Sequence, residues 1–344
     1  MIFEKSFVKM KKTPFYGGKI MAQKTVAEYK KMFRFKTVDG EITITGYKGE
    51  DTEVVIPEKI GKATVVAIGE RAFATEYETI KGPNERAIRE QITSVVIPNT
   101  VKHIGTNAFL GCISLNKATI PEDAYIDENA FCRTAYYDNN DNYEDGFLYW
   151  GKILIYMPKN DNIKCINVKK GTVNIAGDCM KGGEAVEIIK IPSSVRLIGH
   201  KTFWGFIQYA PNLKEIEVEK DNEHYVSVDG VLYTKDMKTL IKYPSAKEGE
   251  SFDIPDTVEH ISNGAFHRCK NLKSVTIPNG TKTIEYSAFN YASNLEKIVI
   301  PSTVFKIGKY AIPGPRDNNV TIYTTADSYA EQYALENKIK YRII

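Results

Sequence analysis

The sequence contains few cysteines, and their spacing argues against two kinds of cross-linked fold. Its 344 residues include five cysteines, an odd number, and none of them belongs to a CxxC pair. A disulfide framework and a zinc cluster both need cysteines at short paired spacings. The pattern therefore predicts buried free thiols and implies no metal or cofactor.

Long hydrophobic runs and an excess of one charge are also missing. No stretch is apolar enough to span a bilayer, and residues 1–24 never reach the run of about seven apolar residues found in a secretory signal. The 46 Lys and Arg nearly balance the 43 Asp and Glu. Because such a chain has no strong overall field, we expect neither membrane insertion nor nucleic-acid binding.

Motifs of common enzymes are absent as well. The sequence has no G-x-S-x-G, H-E-x-x-H, G-x-x-x-x-G-K-[ST] or G-x-G-x-x-G segment. We therefore predict a protein without catalytic activity.

What the chain does contain is an internal repeat. The segment SVVIPNTVKHIGTNAF (94–109) reads almost as a copy of SVTIPNGTKTIEYSAF (274–289). The isoleucines of the Ile-Pro dipeptides are separated by steps of 23 residues, first at Ile97 and Ile120 and again at Ile254, Ile277 and Ile300. A fixed period of this size is typical of a solenoid.

Each unit follows the same order of residue types. Apolar residues at relative positions 0, 3 and 5, such as Ile92, Val95 and Ile97, predict a turn into a short strand with one inward face. Proline then ends the strand, a second apolar pair follows, and the unit closes on Ala-Phe. We expect the alanine to let neighbouring coils approach and the phenylalanine to fill the interior.

One unit is less regular. Aligning residues 168–180 with 277–289 places Lys169 at the proline, and Cys179 and Met180 at the Ala-Phe pair. Small and large core substitutes of this kind predict a further coil, whose strand carries Ile163, Ile166 and Val168.

The full phrase L-x-x-I-x-I-P-x-x-V-x-x-I-G-x-x-A-F-x-x-C resembles the BspA-type leucine-rich repeat over residues 36–344. That family comprises surface and secreted repeat proteins of bacteria and some protists. The resemblance implies a leucine-rich-repeat solenoid of the α/β repeat class, with short parallel strands and tight turns.

The rest of the chain is divided accordingly. Residues 1–33 are expected to form an N-terminal segment with a helix at Thr25 to Phe33, and residues 34–315 the solenoid, which begins with a hairpin around Asp39-Gly40. Inserted hairpins are expected near 136–158 and 221–244. Residues 316–344 are expected to form a C-terminal cap of one helix, Ser328 to Lys338, and a last strand.

Two groups of residues invite a metal interpretation. His103 and His260 share one repeat position, but unrelated residues occupy it in other units, so no ladder of ligands follows. The acidic segment from Asp138 has Tyr143 where a calcium loop needs glycine and Tyr149 where it needs glutamate. We predict a solvated acidic loop there and no metal site.

The same segment is rich in aromatic residues, which gives the first set of partner-binding candidates. These are Tyr136, Tyr137, Tyr143, Tyr149 and Trp150. Tyrosine and tryptophan supply large contact areas at low entropic cost. The alternative is that Phe147, Tyr149 and Trp150 pack the inserted hairpin onto the stack, because an isolated hairpin needs a hydrophobic face.

The second set lies on the exposed face of the strand column, where leucine-rich repeats usually bind. Its candidates are Asn167, Lys190, Glu217 and Asp253, which stand between the second and third strand anchors. The column has mixed character and no clustered cations, which suits a protein better than a polyanion.

These observations favour a non-catalytic binding module, by resemblance an adhesin-like or surface protein that recognises a protein or a glycan. The lack of a signal sequence leaves two alternatives: a truncated gene start, or an intracellular protein-interaction scaffold located in the cytoplasm. A third hypothesis is an enzyme with an unrecognised site on the inserted hairpins.

Overall fold

The chain is built from short strands joined by tight turns. The computed structural model describes residues 15–16, 19–20, 24–75, 84–157, 160, 162–177, 179, 183–199, 210–314 and 320–344. Its helices are α1 (Val26–Met32), α2 (Glu85–Glu90), α3 (Ala135–Asp138) and α4 (Tyr329–Asn337). The strands in chain order are β1 (Phe15–Tyr16), β2 (Lys19–Ile20), β3 (Phe33–Val38), β4 (Glu41–Tyr47), β5 (Glu53–Val55), β6 (Lys59–Ile60), β7 (Ala63–Ile68), β8 (Ser94–Val96), β9 (His103–Ile104), β10 (Lys117–Thr119), β11 (Tyr125–Ile126), β12 (Tyr143–Glu144), β13 (Phe147–Trp150), β14 (Ile153–Tyr156), β15 (Cys165–Asn167), β16 (Asn174–Ile175), β17 (Ile188–Ile191), β18 (Leu197–Ile198), β19 (Glu215–Val218), β20 (Tyr225–Val228), β21 (Val231–Thr234), β22 (Thr239–Lys242), β23 (Ser251–Asp253), β24 (His260–Ile261), β25 (Ser274–Thr276), β26 (Thr283–Ile284), β27 (Lys297–Val299), β28 (Lys306–Ile307), β29 (Thr321–Thr324) and β30 (Lys340–Ile343).

The first strand of each repeat pairs in parallel with its counterpart in the next coil. Three sheets result along one face of the stack, in the orders β10-β8-β5, β15-β17-β19 and β23-β25-β27-β29-β30. The register places equal repeat positions side by side, as with Ile166, Ile189 and Ile216. The predicted leucine-rich-repeat solenoid is confirmed, including the irregular coil with Cys179; its Met180 lies outside the described residues.

The second strand of each repeat lies on the other face of the stack, and the strands of the inserted hairpins belong to the same face. There the sheet orders are β11-β9-β7-β4-β3, β12-β13-β14-β16-β18 and β20-β21-β22-β24-β26-β28. In each hairpin the last strand, β14 or β22, pairs in parallel with the next coil. Each inserted hairpin therefore starts a new sheet of this face.

The hairpins share one turn chemistry. Asp39-Gly40, Asp145-Gly146 and Asp229-Gly230 each have positive φ at both residues. Two consecutive left-handed residues make the turn whose twist matches antiparallel strands, and Asp-Gly is a favoured pair for it.

Aromatic rings stack through the interior at the Ala-Phe position. Ring centroids are 4.7 Å apart for Phe73 and Phe109, 5.2 Å for Phe109 and Phe131, and 4.6 Å for Phe266 and Phe289. The N–H of Phe109 donates to the carbonyl of Ala130 in the following coil, at 2.7 Å. This bond requires close coils, which explains the small residue beside the large one.

The inserted hairpins join this interior in phase with the repeats. The N–H groups of Met157 and Tyr243, just after β14 and β22, donate to the carbonyls of Cys179 and Ala265. Tyr243 also stacks on Phe266, with centroids 5.3 Å apart. Each residue thus occupies the place of a repeat phenylalanine. The first hairpin lies within one hydrophobic core cluster, and the second marks the point where the core divides into two clusters.

The glycine that often follows the second strand lets coils approach. A Cβ added at Gly308 would lie 2.6 Å from the backbone nitrogen of Tyr286, and one added at Gly105 would lie 2.8 Å from that of Glu70. Real Cβ atoms do not come this near to backbone, so these positions limit the spacing between coils.

Both ends of the stack are covered. At the N-terminal end, α1 carries a capping box between Thr25 and Glu28, and the β3–β4 hairpin pairs in parallel with β7. At the C-terminal end, Ser328 caps α4, which buries Ala330, Tyr333 and Ala334 and leaves Tyr329 41% exposed. The predicted boundary at residues 315 and 316 lies outside the described residues.

Candidate functional site

The middle sheet of the first face is separated from its neighbours by the two inserted hairpins. On one side, Trp150 of β13 donates its indole N–H to the carbonyl of Ala118 in β10, at 3.1 Å. On the other side, Gly230 at the turn of the second hairpin accepts from the N–H of Ile216 in β19, at 3.0 Å. We call β15, β17 and β19 the central panel.

Three predicted column residues meet on the central panel. Asn167, Lys190 and Glu217 stand at the same register on its three strands, and Lys190 Nζ lies 3.0 Å from Glu217 Oε2. The hydrogen bond to Glu217 raises the pKa of Lys190. The fourth candidate, Asp253, is exposed but lies on β23 beside Thr276, in another sheet.

A groove of about 470 Å³ follows the end of the central panel where the strands stop. The three column residues border it, together with a floor of Val168, Ile191 and Val218 and walls of Lys169, Lys170 and Glu219. Val168 and Ile191 are buried. The groove thus combines an apolar floor with polar walls, the usual composition of a binding site.

The charges of the groove walls are held in place. Glu219 accepts from the backbone N–H of Ser193 at 2.8 Å, which lowers the pKa of its carboxyl group, and lies 3.9 Å from Lys170 Nζ. Lys169 Nζ lies 2.5 Å from Glu144 of the first hairpin, and the backbone N–H of Lys169 donates to the hydroxyl of Tyr149. The first hairpin therefore supports one wall of the groove.

The aromatic candidates pack this hairpin. Tyr149 and Trp150 are only 8% and 9% exposed. Tyr136 stacks on Trp150 with centroids 4.1 Å apart and donates its hydroxyl to the carbonyl of Tyr149. This burial favours the packing interpretation for Tyr149 and Trp150.

The other two aromatic candidates are half-buried in the same cluster. Tyr137 packs on Tyr156 with centroids 4.8 Å apart, and the hydroxyl of Tyr143 donates to the carbonyl of Tyr137 at 2.9 Å. Burial raises the pKa of Tyr137 and raises that of Tyr143 to about 12. The exposed residues of this insertion form a polar rim, which comprises residues 138–141, 144 and 145.

The residues considered for metals have other partners. His103 Nε2 lies 2.8 Å from Asp127 Oδ2, and His260 Nδ1 lies 3.0 Å from the hydroxyl of Thr283. Among the residues described, no three His, Cys, Asp or Glu side chains are grouped so as to hold a metal ion. Within the same residues, no helix has the length and apolar character needed to cross a membrane.

Sequence reasoning missed three wall residues, Lys169, Lys170 and Glu219. A signal was present, because Lys169 replaces the proline that ends the strand in other repeats. The wall of the groove also depends on Glu144, which is distant from Lys169 in the sequence, so the groove could not be recognised from the repeat pattern.

Comparison with known proteins decides the family. The model of the BspA type leucine rich repeat region matches residues 52–136, 88–208, 151–226 and 244–341. The chain belongs to this family. Members' repeats are generally regarded as protein-binding modules without catalysis, and none of the curated proteins matches the sequence.

Solved structures include similar repeat proteins of bacteria. A leucine-rich repeat protein from Eubacterium ventriosum is 26% identical, with a TM-score of 0.43 over 85% of this chain and 69% of that chain. One from Bacteroides ovatus is 17% identical, with a TM-score of 0.36 over 91% and 98%. A leucine rich cell surface protein from Faecalibacterium prausnitzii is 22% identical, with a TM-score of 0.28 over 88% and 95%.

Proposed function

We propose that this BspA-type chain is a non-catalytic, adhesin-like surface module that binds a protein partner in the groove of the central panel. The groove is the observation that carries the proposal. Of the floor residues, Val218 is partly exposed and offers apolar contact, whereas Val168 and Ile191 are buried. The walls offer charged groups of both signs, and Asn167 adds an amide. Such a surface suits an extended protein segment, which brings apolar side chains and backbone hydrogen-bonding groups together.

The electrostatics of the groove favour binding over proton transfer. Glu217 lies beside Lys190, and Glu219 accepts a backbone hydrogen bond that lowers its pKa. A general acid at neutral pH needs a carboxyl pKa raised toward 7. The Glu219 carboxylate is therefore suited to orient a partner rather than to exchange a proton with a substrate.

Among the predicted binding residues, we assign direct contact to Asn167, Lys190 and Glu217. Tyr149 and Trp150 act by holding the first hairpin against the stack. Tyr136, Tyr137 and Tyr143 support its polar rim, and Asp253 serves as a reference position outside the groove.

The first test compares two sets of column substitutions. The purified protein is immobilised and proteins that it captures from the surroundings of the source cells are identified, and their affinity is then measured by calorimetry. Asn167→Ala, Lys190→Ala and Glu217→Ala together should weaken binding at least tenfold. The matched control, Asp253→Ala with Thr276→Ala, should leave the affinity unchanged; loss in the control alone would place the binding face in the C-terminal sheet.

The second test concerns the polar rim of the insertion. Deletion of residues 136–144 would remove Tyr136, whose ring stacks on Trp150, so the fold would change with the surface. Asp138→Ala, Asn140→Ala and Asp141→Ala change the exposed rim and leave the ion pair between Glu144 and Lys169 of the groove wall in place. Unchanged affinity in this variant would restrict contact to the central panel.

The third test addresses location. The source cells are fractionated, and the N-terminus of the native protein is read by mass spectrometry. Recovery at the cell surface or in the medium agrees with an adhesin-like role. Recovery in the cytoplasm would overturn it and direct the search for the partner to intracellular proteins.

A further inference from the structure

A second surface lies on the turns of the C-terminal coils. It carries two tyrosines whose exposure and backbone conformation are not required by the packing of the coils. Tyr291 and Tyr310 are 57% and 53% exposed. Both have left-handed backbones, with φ of 57° and 58°. Aromatic side chains rarely adopt this conformation, which favours glycine and asparagine.

Other coils place small or hydrophilic residues at the same turn positions. The positions equivalent to Tyr310 hold Asn107, Asn129, Gly264 and Ser287, and those equivalent to Tyr291 hold Gly111, Arg133 and Arg268. A tyrosine in these places adds backbone strain and buries less than half of its surface. Strained, exposed residues of this kind are concentrated at functional sites.

Each tyrosine is accompanied by a cation. The Arg268 guanidinium lies 5.6 Å from the centroid of the Tyr291 ring, and Lys309 Nζ lies 4.7 Å from that of Tyr310. Tyr286 packs edge-on against Tyr310 with centroids 5.8 Å apart. These distances are typical of cation–π and aromatic pairs.

The two cations differ from their neighbours in having no carboxylate partner among the described residues. Exposed lysines of the same coils do form ion pairs, as Lys273 does with Glu250 at 2.6 Å and Lys306 with Glu285 at 2.8 Å. Arg268 and Lys309 therefore leave positive charge available to an incoming anion. We call Arg268, Tyr286, Tyr291, Lys309 and Tyr310 the tyrosine–cation surface.

We propose that the tyrosine–cation surface binds an acidic saccharide, one that carries carboxylate or sulfate groups. The exposed rings offer faces on which the C–H groups of a sugar ring can rest, and the two cations match its negative charge. The surface lies on exposed turns rather than in a groove lined by apolar residues, so it lacks the pocket that usually anchors a protein side chain. This site is separate from the groove of the central panel and does not depend on it.

The test uses calorimetry on the full chain with three probes. A heparin tetrasaccharide presents sulfate together with carboxylate, 3′-sialyllactose presents carboxylate alone, and lactose is the neutral control. We expect binding of at least one acidic probe and none of lactose; binding of 3′-sialyllactose would show that carboxylate suffices, and binding of heparin alone would show that it does not. Failure of both acidic probes, or equal binding of lactose, would overturn the proposal.

Two variants separate binding from folding. Tyr291→Asn with Tyr310→Asn should lower the affinity for the acidic probe at least tenfold while leaving the melting temperature equal or higher, because asparagine tolerates the left-handed backbone. Phe305→Asn removes another exposed ring of the same coils and should leave the affinity unchanged. Unchanged affinity in the tyrosine variant would show that the tyrosine–cation surface is not the saccharide-binding site.

A third variant and a competitor test the charge. Arg268→Gln with Lys309→Gln keeps both rings and should weaken binding and reduce its dependence on salt. Hexaglutamate should not displace the saccharide. Displacement at equal concentration would show that the surface recognises acidic peptides, and the proposal of a saccharide would then be wrong.

Discussion

Replacing Phe109 by alanine would remove the middle ring of the N-terminal aromatic stack. Phe109 is fully buried between Phe73 and Phe131, with centroids 4.7 and 5.2 Å away. Loss of its burial and the resulting cavity should cost about 3–5 kcal/mol. Two ring pairs, each contributing about 0.5–1.5 kcal/mol, place the expected cost in the upper half of that range.

Phe289 provides the matched comparison. It is equally buried and stacks on Phe266 at 4.6 Å, but the equivalent residue of the following coil is Ile312. Phe289→Ala therefore loses one aromatic pair fewer and should cost about 1 kcal/mol less than Phe109→Ala. Phe109→Leu keeps most of the apolar volume and should recover more than half of the loss.

Urea denaturation measures these free energies, and hydrogen exchange shows where protection is lost. Because each coil contacts only its neighbours, protection in Phe109→Ala should fall first in the coils of Phe73 and Phe131. An equal cost for Phe109→Ala and Phe289→Ala would refute the argument from ring pairs. An equal loss of protection at both ends of the chain would refute the nearest-neighbour description.

Three further predictions use single substitutions followed by urea denaturation. Gly308→Ala should cost about 1–3 kcal/mol, because its Cβ would overlap the preceding coil, whereas Glu285→Ala at the equivalent position should cost less than about 1 kcal/mol. Burial lowers the pKa of Lys242 to about 8. Between about pH 8 and pH 10.4 this lysine therefore holds its proton in the unfolded chain but not in the folded one, and the wild type becomes more stable as the pH rises through that range. Lys242→Met lacks that gain, so its free energy of unfolding relative to the wild type should fall by up to about 3 kcal/mol from pH 7.5 to pH 10.5; a constant difference would show that the pKa of Lys242 is the same in the folded and the unfolded chain. The hydrogen bond with Asp127 raises the pKa of His103, so this pair stabilises the fold below the unfolded pKa of about 6.5 and loses its effect as the pH rises through the folded value. His103→Gln should therefore cost more at pH 5.5 than at pH 8.5, by on the order of 0.5 kcal/mol.

The repeat made most of this fold predictable. In a solenoid, residues in contact occupy equal positions in successive units, so the spacing of the Ile-Pro and Ala-Phe dipeptides also specifies long-range neighbours. The N-terminal hairpin was predictable because Asp39-Gly40 separates its strands. The two inserted hairpins were predictable because their sequences resemble the hairpins that the family inserts between repeats. Their place in the core was not, since it depends on Met157 and Tyr243 acting as repeat phenylalanines.

Neither the buried cations nor the groove could be predicted from the sequence pattern. Arg89 is fully buried and donates to the carbonyls of Tyr47 and Ala74, and Lys242 donates to those of Gly264 and His267. Backbone acceptors carry no sequence signal, so such sites appear only in three dimensions. The same holds for the wall of the groove, where Lys169 and Glu144 come from different segments.

The parallel pairing between coils determines how the molecule would respond to tension. Hydrogen bonds such as that from Phe109 to Ala130 run from one coil to the next, so a pull on the two ends loads them directly. Coils would detach singly from an end, and each 23-residue unit would release roughly 75–80 Å of chain. A pulling experiment should then record a series of small steps of this length instead of one rupture, and a tethered chain of this kind would extend gradually under load.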